Sequence, residues 1–201
     1  MALLSRLLTL VLVSCAAYTS ALSIERSDAC TNTVVFGSST VMVGDNAVII
    51  ETFACADSPA KRGLFDPFSP PKKTTATSSS IAPAPTPANV CGQICTDSCS
   101  SGGLPPISQD CQTIYNSLTI LQGSIDPTFT VPANGVQQLT FGTCRVFFNN
   151  LSSKPVSSCW DSLSEQASAA GTLCFPPTQP LQSLGVCNAG DGSWQIGVGH
   201  S

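Results

Sequence analysis

The sequence predicts an α+β fold: two helices packed on an antiparallel sheet, an α/β sandwich rich in disulfides. Three observations lead there. Two segments carry apolar residues at three- and four-residue spacing, the mark of helices with one buried face. Several short segments rich in β-branched and aromatic residues alternate apolar with polar, as half-buried strands do. The 201 residues include eleven cysteines, a density expected of a disulfide framework.

The elements follow in chain order. Met1 to Arg6 carries one basic side chain, residues 7–17 are almost unbroken apolar sequence, and Thr19-Ser20-Ala21 is a run of small residues. The apolar run falls short of the about 20 residues that span a bilayer. Basic, apolar and small-residue regions in that order predict a signal peptide over 1–21 and a secreted, extracellular chain. Its removal takes Cys15 and leaves an even set of cysteines, as expected for disulfides in an exported protein. No other long apolar run occurs, so no stable membrane insertion is expected.

Residues 22–66 read as a small β-rich segment. Thr33-Val34-Val35-Phe36, Thr40-Val41-Met42-Val43 and Val48-Ile49-Ile50-Glu51-Thr52 are separated by Gly37-Ser38-Ser39 and Gly44-Asp45-Asn46, which predicts a β meander. So short a segment buries little surface alone, so a bridge between Cys30 and Cys55 would matter to it. Residues 67–89 are a linker, almost all Pro, Ser, Thr, Ala and Lys. That composition builds no core and predicts an extended chain with Ser and Thr open to O-glycans. Lys61-Arg62, just before it, reads either as a processing site or as two solvated charges.

Residues 90–201 form the main domain, with Cys91, Cys95, Cys99, Cys111, Cys144, Cys159, Cys174 and Cys187. Eight cysteines leave the pairing open. Ser108 is placed to cap a helix over 109–122 that Gly123 ends, with Cys111, Ile114, Tyr115, Leu118 and Leu121 on one face. Thr128 to Val131 is a short strand, and Pro132-Ala133-Asn134-Gly135 a turn. Strands over 136–141 and 143–149 follow. Phe147 and Phe148 are adjacent and point to opposite faces, which predicts a strand covered on both sides. A second helix is expected over about 158–170, stopped by Gly171, with Cys159, Leu163, Ala167, Ala170 and Cys174 along its stripe. The chain closes with 185–187, a turn over 188–192, and a strand in which Trp194, Ile196 and Val198 alternate inward.

Charge is sparse, with eight basic and twelve acidic residues and a formal net charge of −4. The absence of a basic patch speaks against a nucleic-acid partner. His200 is the single histidine, and neighbours hold a side chain weakly so close to a chain end. No Ser-His-Asp or Cys-His arrangement and no phosphate-cradling loop is present. Asp161 and Glu165 stand four apart on the second helix, the one carboxylate pair a glycosidase reading has to offer. The apolar stripe faces elsewhere, so the pair is expected to face solvent. Asp110 suits the helix dipole, and Asp191 suits its Asp-Gly turn. Cys91, Cys95 and Cys99 have C-x3-C-x3-C spacing rather than the C-x2-C of zinc knuckles, so they are expected in disulfides, with no metal and no cofactor.

Binding remains. Trp rings stack on sugar faces and their N–H can reach a hydroxyl, so Trp160, Trp194 and Asp191 are the candidate ligand-binding residues. Core packing is the competing expectation for both tryptophans. Asn150-Leu151-Ser152 is an N-glycosylation sequon after a strand, so Asn150 is expected to be exposed.

These residues also carry a resemblance. The run Val90-Cys91-Gly92-Gln93-Ile94-Cys95 with Cys99, the Asp110-Cys111 helix start and Thr128-Phe129-Thr130-Val131 are part of it. Phe141-Gly142-Thr143-Cys144-Arg145-Val146-Phe147-Phe148-Asn149-Asn150, Cys159-Trp160, and Gly185-Val186-Cys187 through Asp191-Gly192-Ser193-Trp194-Gln195-Ile196 complete it. Together they resemble a family of secreted glycan-binding proteins from mushroom-forming fungi, lectin-like domains of α/β-sandwich type. The match spans 90–201 and leaves 22–89 outside. The Asp-Cys helix, the Cys-aromatic strand and the final Trp strand are also similar to fungal necrosis-inducing effectors and small killer toxins. The resemblance implies a secreted, non-catalytic carbohydrate-binding protein whose partner is a glycan or glycoprotein. An effector or toxin acting on a host or competitor is the alternative, and a small glycoside hydrolase the next. No sugar-contacting position carries over, and the oligomeric state stays open.

Overall fold

A computed structural model describes residues 33–55, 86–101, 103–124, 126–177 and 182–201. The expected signal peptide, Cys30, Lys61-Arg62 and the linker up to residue 85 lie outside those residues. The described chain is α+β, with two helices, more strand than helix, and four disulfides.

Strands β1 (Thr33–Val43) and β2 (Asn46–Cys55) form a hairpin. It turns at Gly44, whose φ of +59° suits glycine. Gly37-Ser38-Ser39 lies inside β1 instead of forming a turn. The register shifts between Val35 and Gly37, so this glycine marks a bulge and three expected runs become two long strands. β2 pairs on its other edge with β6 (Gly135–Phe141), from Ile49 opposite Thr140 to Ala54 opposite Gly135. The N-terminal segment is therefore continuous with the main domain in the sheet. Val48 and Ile50 gain a core this way, by joining the cluster that the helices cover.

The other elements are β3 (Ala88–Asn89), β4 (Cys95–Ser100), α1 (Ser108–Gln122), β5 (Thr128–Val131), β7 (Cys144–Asn150), β8 (Val156–Cys159), α2 (Trp160–Cys174), β9 (Leu184–Ala189) and β10 (Trp194–His200). The large sheet has the order β1-β2-β6-β7-β10-β9-β4, with every neighbouring pair antiparallel. A small second sheet, β3-β8-β5, was not expected, and its β3–β8 pair is parallel. Ala88 and Asn89 belong to it, so the last residues of the expected linker are part of the fold.

Both helices lie where their stripes predict; α1 ends at Gln122 before Gly123 as expected, while the two N-terminal ends and the end of α2 differ. The structure places Ile107 at the N-cap of α1, without a side-chain cap. The β6–β7 turn supplies the partners instead. The Thr143 N–H and hydroxyl each donate to the Asp110 carboxylate at 2.7 Å, and the Ile107 N–H donates to the Thr143 hydroxyl at 2.9 Å. Gly142 (φ +54°) is required there, because a Cβ would collide with that carboxylate. Ser158 lies in β8, so α2 starts two residues later than expected and runs through Gly171 to Cys174. Gly171 is a close-approach residue: a Cβ on it would sit 3.4 Å from both the Tyr115 hydroxyl and Val198. Pro176-Pro177 ends the helix, since proline lacks the N–H and disfavours helix before it.

One core fills the space between α1, α2, the small sheet and one face of the large sheet. Phe148 sits there, stacked near Trp194 with ring centroids 5.8 Å apart and edge-on to Phe129 at 5.6 Å. Phe147 points to the opposite face, where it clusters with Phe53 and Val136. The bridges Cys91–Cys159, Cys95–Cys187 and Cys99–Cys174 tie β4 and the residues before it to β8, β9 and α2. Cys111–Cys144 ties α1 to β7. Cα–Cα separations of 5.2 to 5.4 Å are ordinary for such bridges.

Candidate functional site

Both expected tryptophans are core residues. Trp160 is 7% exposed and packs on Phe129 with centroids 4.3 Å apart, and Trp194 is 2% exposed. Neither offers a ring face to a ligand, because each covers apolar neighbours that would otherwise meet water. Asp191 is exposed in the β9–β10 turn, where it accepts the Ser193 N–H at 2.9 Å and the Ser193 hydroxyl at 2.7 Å. Those bonds favour the carboxylate and lower its pKa. Its role is that of a turn residue.

Asn150 is also misplaced by the sequon. It is 1% exposed, and its amide nitrogen donates to the carbonyls of Val131, Pro132 and Lys154 at 2.8 to 3.1 Å. Its oxygen accepts from the Ser152 N–H and hydroxyl. An N-glycan attaches through the nitrogen that makes those three bonds, so the folded chain has no place for one at Asn150.

The remaining chemistry-bearing residues stay apart. Asp161 accepts the Gln122 side chain at 2.8 Å, joining the end of α1 to the start of α2, while Glu165 is exposed. Among the described residues, no group of three or more His, Cys, Asp or Glu is placed to hold a metal. No helix among them is long and apolar enough to cross a membrane.

The structure draws attention to a cleft of about 480 Å³ between the start of α1 and the end of α2. That volume lies in the range of small-ligand sites. Its floor includes Tyr115 and Gly171, and Phe175 adds a second aromatic ring. Pro105-Pro106, before α1, and Pro176-Pro177, after α2, supply apolar walls that carry no N–H donor. Gln112 and Thr172 bring polar groups. The Tyr115 hydroxyl donates to the Ala167 carbonyl at 3.3 Å, and burial pushes its pKa up to about 12. The phenol is therefore neutral, and no described residue lining the cleft carries a charge.

Its place on the apolar stripe of α1 predicts that Tyr115 is a core residue. It is half-buried, packed against the core while its ring lines the cleft. The proline doublets flanking the two helices were the available signal, since each doublet ends or precedes a helix with a rigid wall. Their convergence depends on the contact between α1 and α2. No protein-family model, curated protein or solved structure matches the chain.

Proposed function

We propose that the chain is a secreted, non-catalytic glycan-binding protein of a fungus and that its ligand lies in the cleft between α1 and α2. The observation that carries this reading is the cleft's chemistry. Two aromatic rings and four prolines provide apolar surface for the C–H faces of a sugar, and Gln, Ser and Thr groups stand beside them for its hydroxyls. The uncharged lining among the described residues suits a neutral sugar. Those residues supply no general acid or base, and so support recognition over hydrolysis. Two helices against an antiparallel sheet fit the sandwich that the resemblance implies. Four disulfides and the basic-apolar-small start of the sequence support secretion.

The test is a glycan array probed with the oxidised chain, followed by titration of each hit against Gln112→Ala and Phe175→Ala. Each variant should weaken binding about tenfold through the loss of a hydrogen bond or a stacking face. An array on which the oxidised protein retains nothing would end this reading. Hits that neither variant weakens would move the site away from the cleft. Death of fungal or plant cells that sugars do not relieve would favour the effector alternative.

A further inference from the structure

A second cavity, of about 270 Å³, shares a loop with the cleft. Pro105 and Pro106 line the cleft, whereas Gly103 and Leu104 line the cavity together with Arg145, Ser183, Leu184 and His200. Arg145 belongs to β7 and stands on the sheet face opposite the helices, directly across from Gly199 of β10. Its guanidinium carbon is 5.3 Å from the centroid of the Phe147 ring. That ring in turn occupies the space above Gly197, where a Cβ would overlap it. The two glycines thus shape a trough in β10. Gly197 admits the ring that backs the guanidinium, and Gly199 sets no side chain against it.

The Arg145 side chain makes no hydrogen bond or ion pair, and its Nε is shut off from solvent without a partner. Burial opposes its charge and lowers its pKa. A guanidinium nevertheless stays protonated in proteins, so among the described residues this desolvation is met by the contact with Phe147. Strand register places one acidic residue on this face, Glu51 of β2, opposite Gln138, which is itself opposite Phe147. No ion pair joins Glu51 to Arg145. At the cavity rim the His200 Nδ1 is 3.0 Å from the Ser201 backbone oxygen. Ser201 also lines the cavity, and no Asp or Glu is among the described lining residues.

We infer that this cavity is an anion site whose ligand is a carboxylate on a small polar body, of the kind a uronic acid presents. The carboxylate is bound by the terminal nitrogens of Arg145, whose planar geometry matches two carboxylate oxygens. Leu104 and Leu184 flank the body of the ligand, and His200 faces its polar groups. The site is independent of the helix cleft and stands whether or not the cleft binds a neutral glycan.

The experiment titrates the full, oxidised chain with glucuronate, glucose and inorganic sulfate, read by calorimetry and by the arginine side-chain Nε–H resonances. Glucuronate should bind at least about tenfold more tightly than glucose, and Arg145→Gln should remove about that factor. Arg145→Lys, which keeps the charge and loses the planar fork, should lose part of it. In the unmodified chain the Arg145 Nε–H resonance should shift with glucuronate, a readout that survives even if Arg145→Gln fails to fold. Any neutral glycan bound in the helix cleft should bind Arg145→Gln unchanged, so the two sites succeed or fail separately. Absence of glucuronate binding, equal binding of glucose, or an unmoved Arg145 resonance would overturn the inference. Sulfate binding as tightly as glucuronate would overturn the carboxylate assignment, since bare charge would then suffice.

Discussion

Phe148 and Phe147 are neighbours on β7, yet they meet different surroundings. Phe148 is fully buried among the rings and aliphatic side chains under the two helices. Phe147 lies on the other face in a smaller cluster with Phe53 and Val136, beside Arg145, Gln138 and Asn149. The helix-covered face is an apolar core in which the buried amide of Asn150 has both its nitrogen and its oxygen bonded. The opposite face mixes rings, glycines, amides and a cation. Stability is concentrated on the first face, and the second is where polar chemistry can accumulate at lower structural cost.

The largest effect expected from this contrast is at Phe148. Phe148→Ala should cost about 4 kcal/mol, and Phe147→Ala about half as much, because the smaller cluster can close over a smaller void. Denaturant unfolding with the disulfides intact measures both. Equal losses would show that the second face is as much a core as the first.

Asn150→Ala comes next, at about 3 kcal/mol, because three carbonyls, one of them in a buried bond and two in part-buried ones, lose their donor. Mass spectrometry of the protein expressed through a secretory pathway should find Asn150 without a glycan. An occupied site would mean that this corner of the core opens.

A smaller effect is expected at Gly197. Gly197→Ala should cost about 2 kcal/mol by displacing the Phe147 ring. In a Phe147→Ala background the same substitution should cost much less, since the obstructing ring is gone. Additive losses would break the proposed stack of Gly197, Phe147 and Arg145.

The smallest effect appears in alkali. Burial raises the Tyr115 phenol from its ordinary value of 10.0 to about 12. The unfolded chain therefore sheds this proton first. The group's contribution to stability is complete below pH 10 and is lost as pH rises through about 12. Tyr18, the other tyrosine, lies in the expected signal peptide, so phenolate absorbance of the mature chain follows Tyr115 alone. Ionisation near pH 10 would place the ring in solvent and remove it from the cleft floor.

Legibility in the sequence divides along the same lines. Strand β5, the Asn134 turn (φ 51°), the two helical stripes and the opposed pair Phe147 and Phe148 were readable, because each is a local period or a local backbone demand. Strand β4 was not. Cys95-Thr96-Asp97-Ser98-Cys99-Ser100 has no strand-like composition, and it is held extended by pairing with β9 and by two disulfides. The second half of strand β8, Ser158 and Cys159, reads from the sequence as the start of the helix that follows, because its serines carry no strand signal. The ring chemistry of the tryptophans is legible in the sequence, whereas their burial depends on neighbours far along the chain. Arg145 left a faint local signal. In Cys144-Arg145-Val146-Phe147-Phe148 the alternation sets the charge on the side of Phe147, away from Cys144, Val146 and Phe148.

The sequence by itself determined the cysteine framework, the α+β class, the helical stripes and most strand periods, because these depend on residue type and near-neighbour spacing. Only the tertiary structure decided which cysteines pair, that the N-terminal hairpin extends the main sheet, that the tryptophans are sealed, and that two proline doublets converge on a cleft. Those outcomes arise from contacts between residues distant in sequence, where strand pairing and close packing, and not local preference, set which side chains meet.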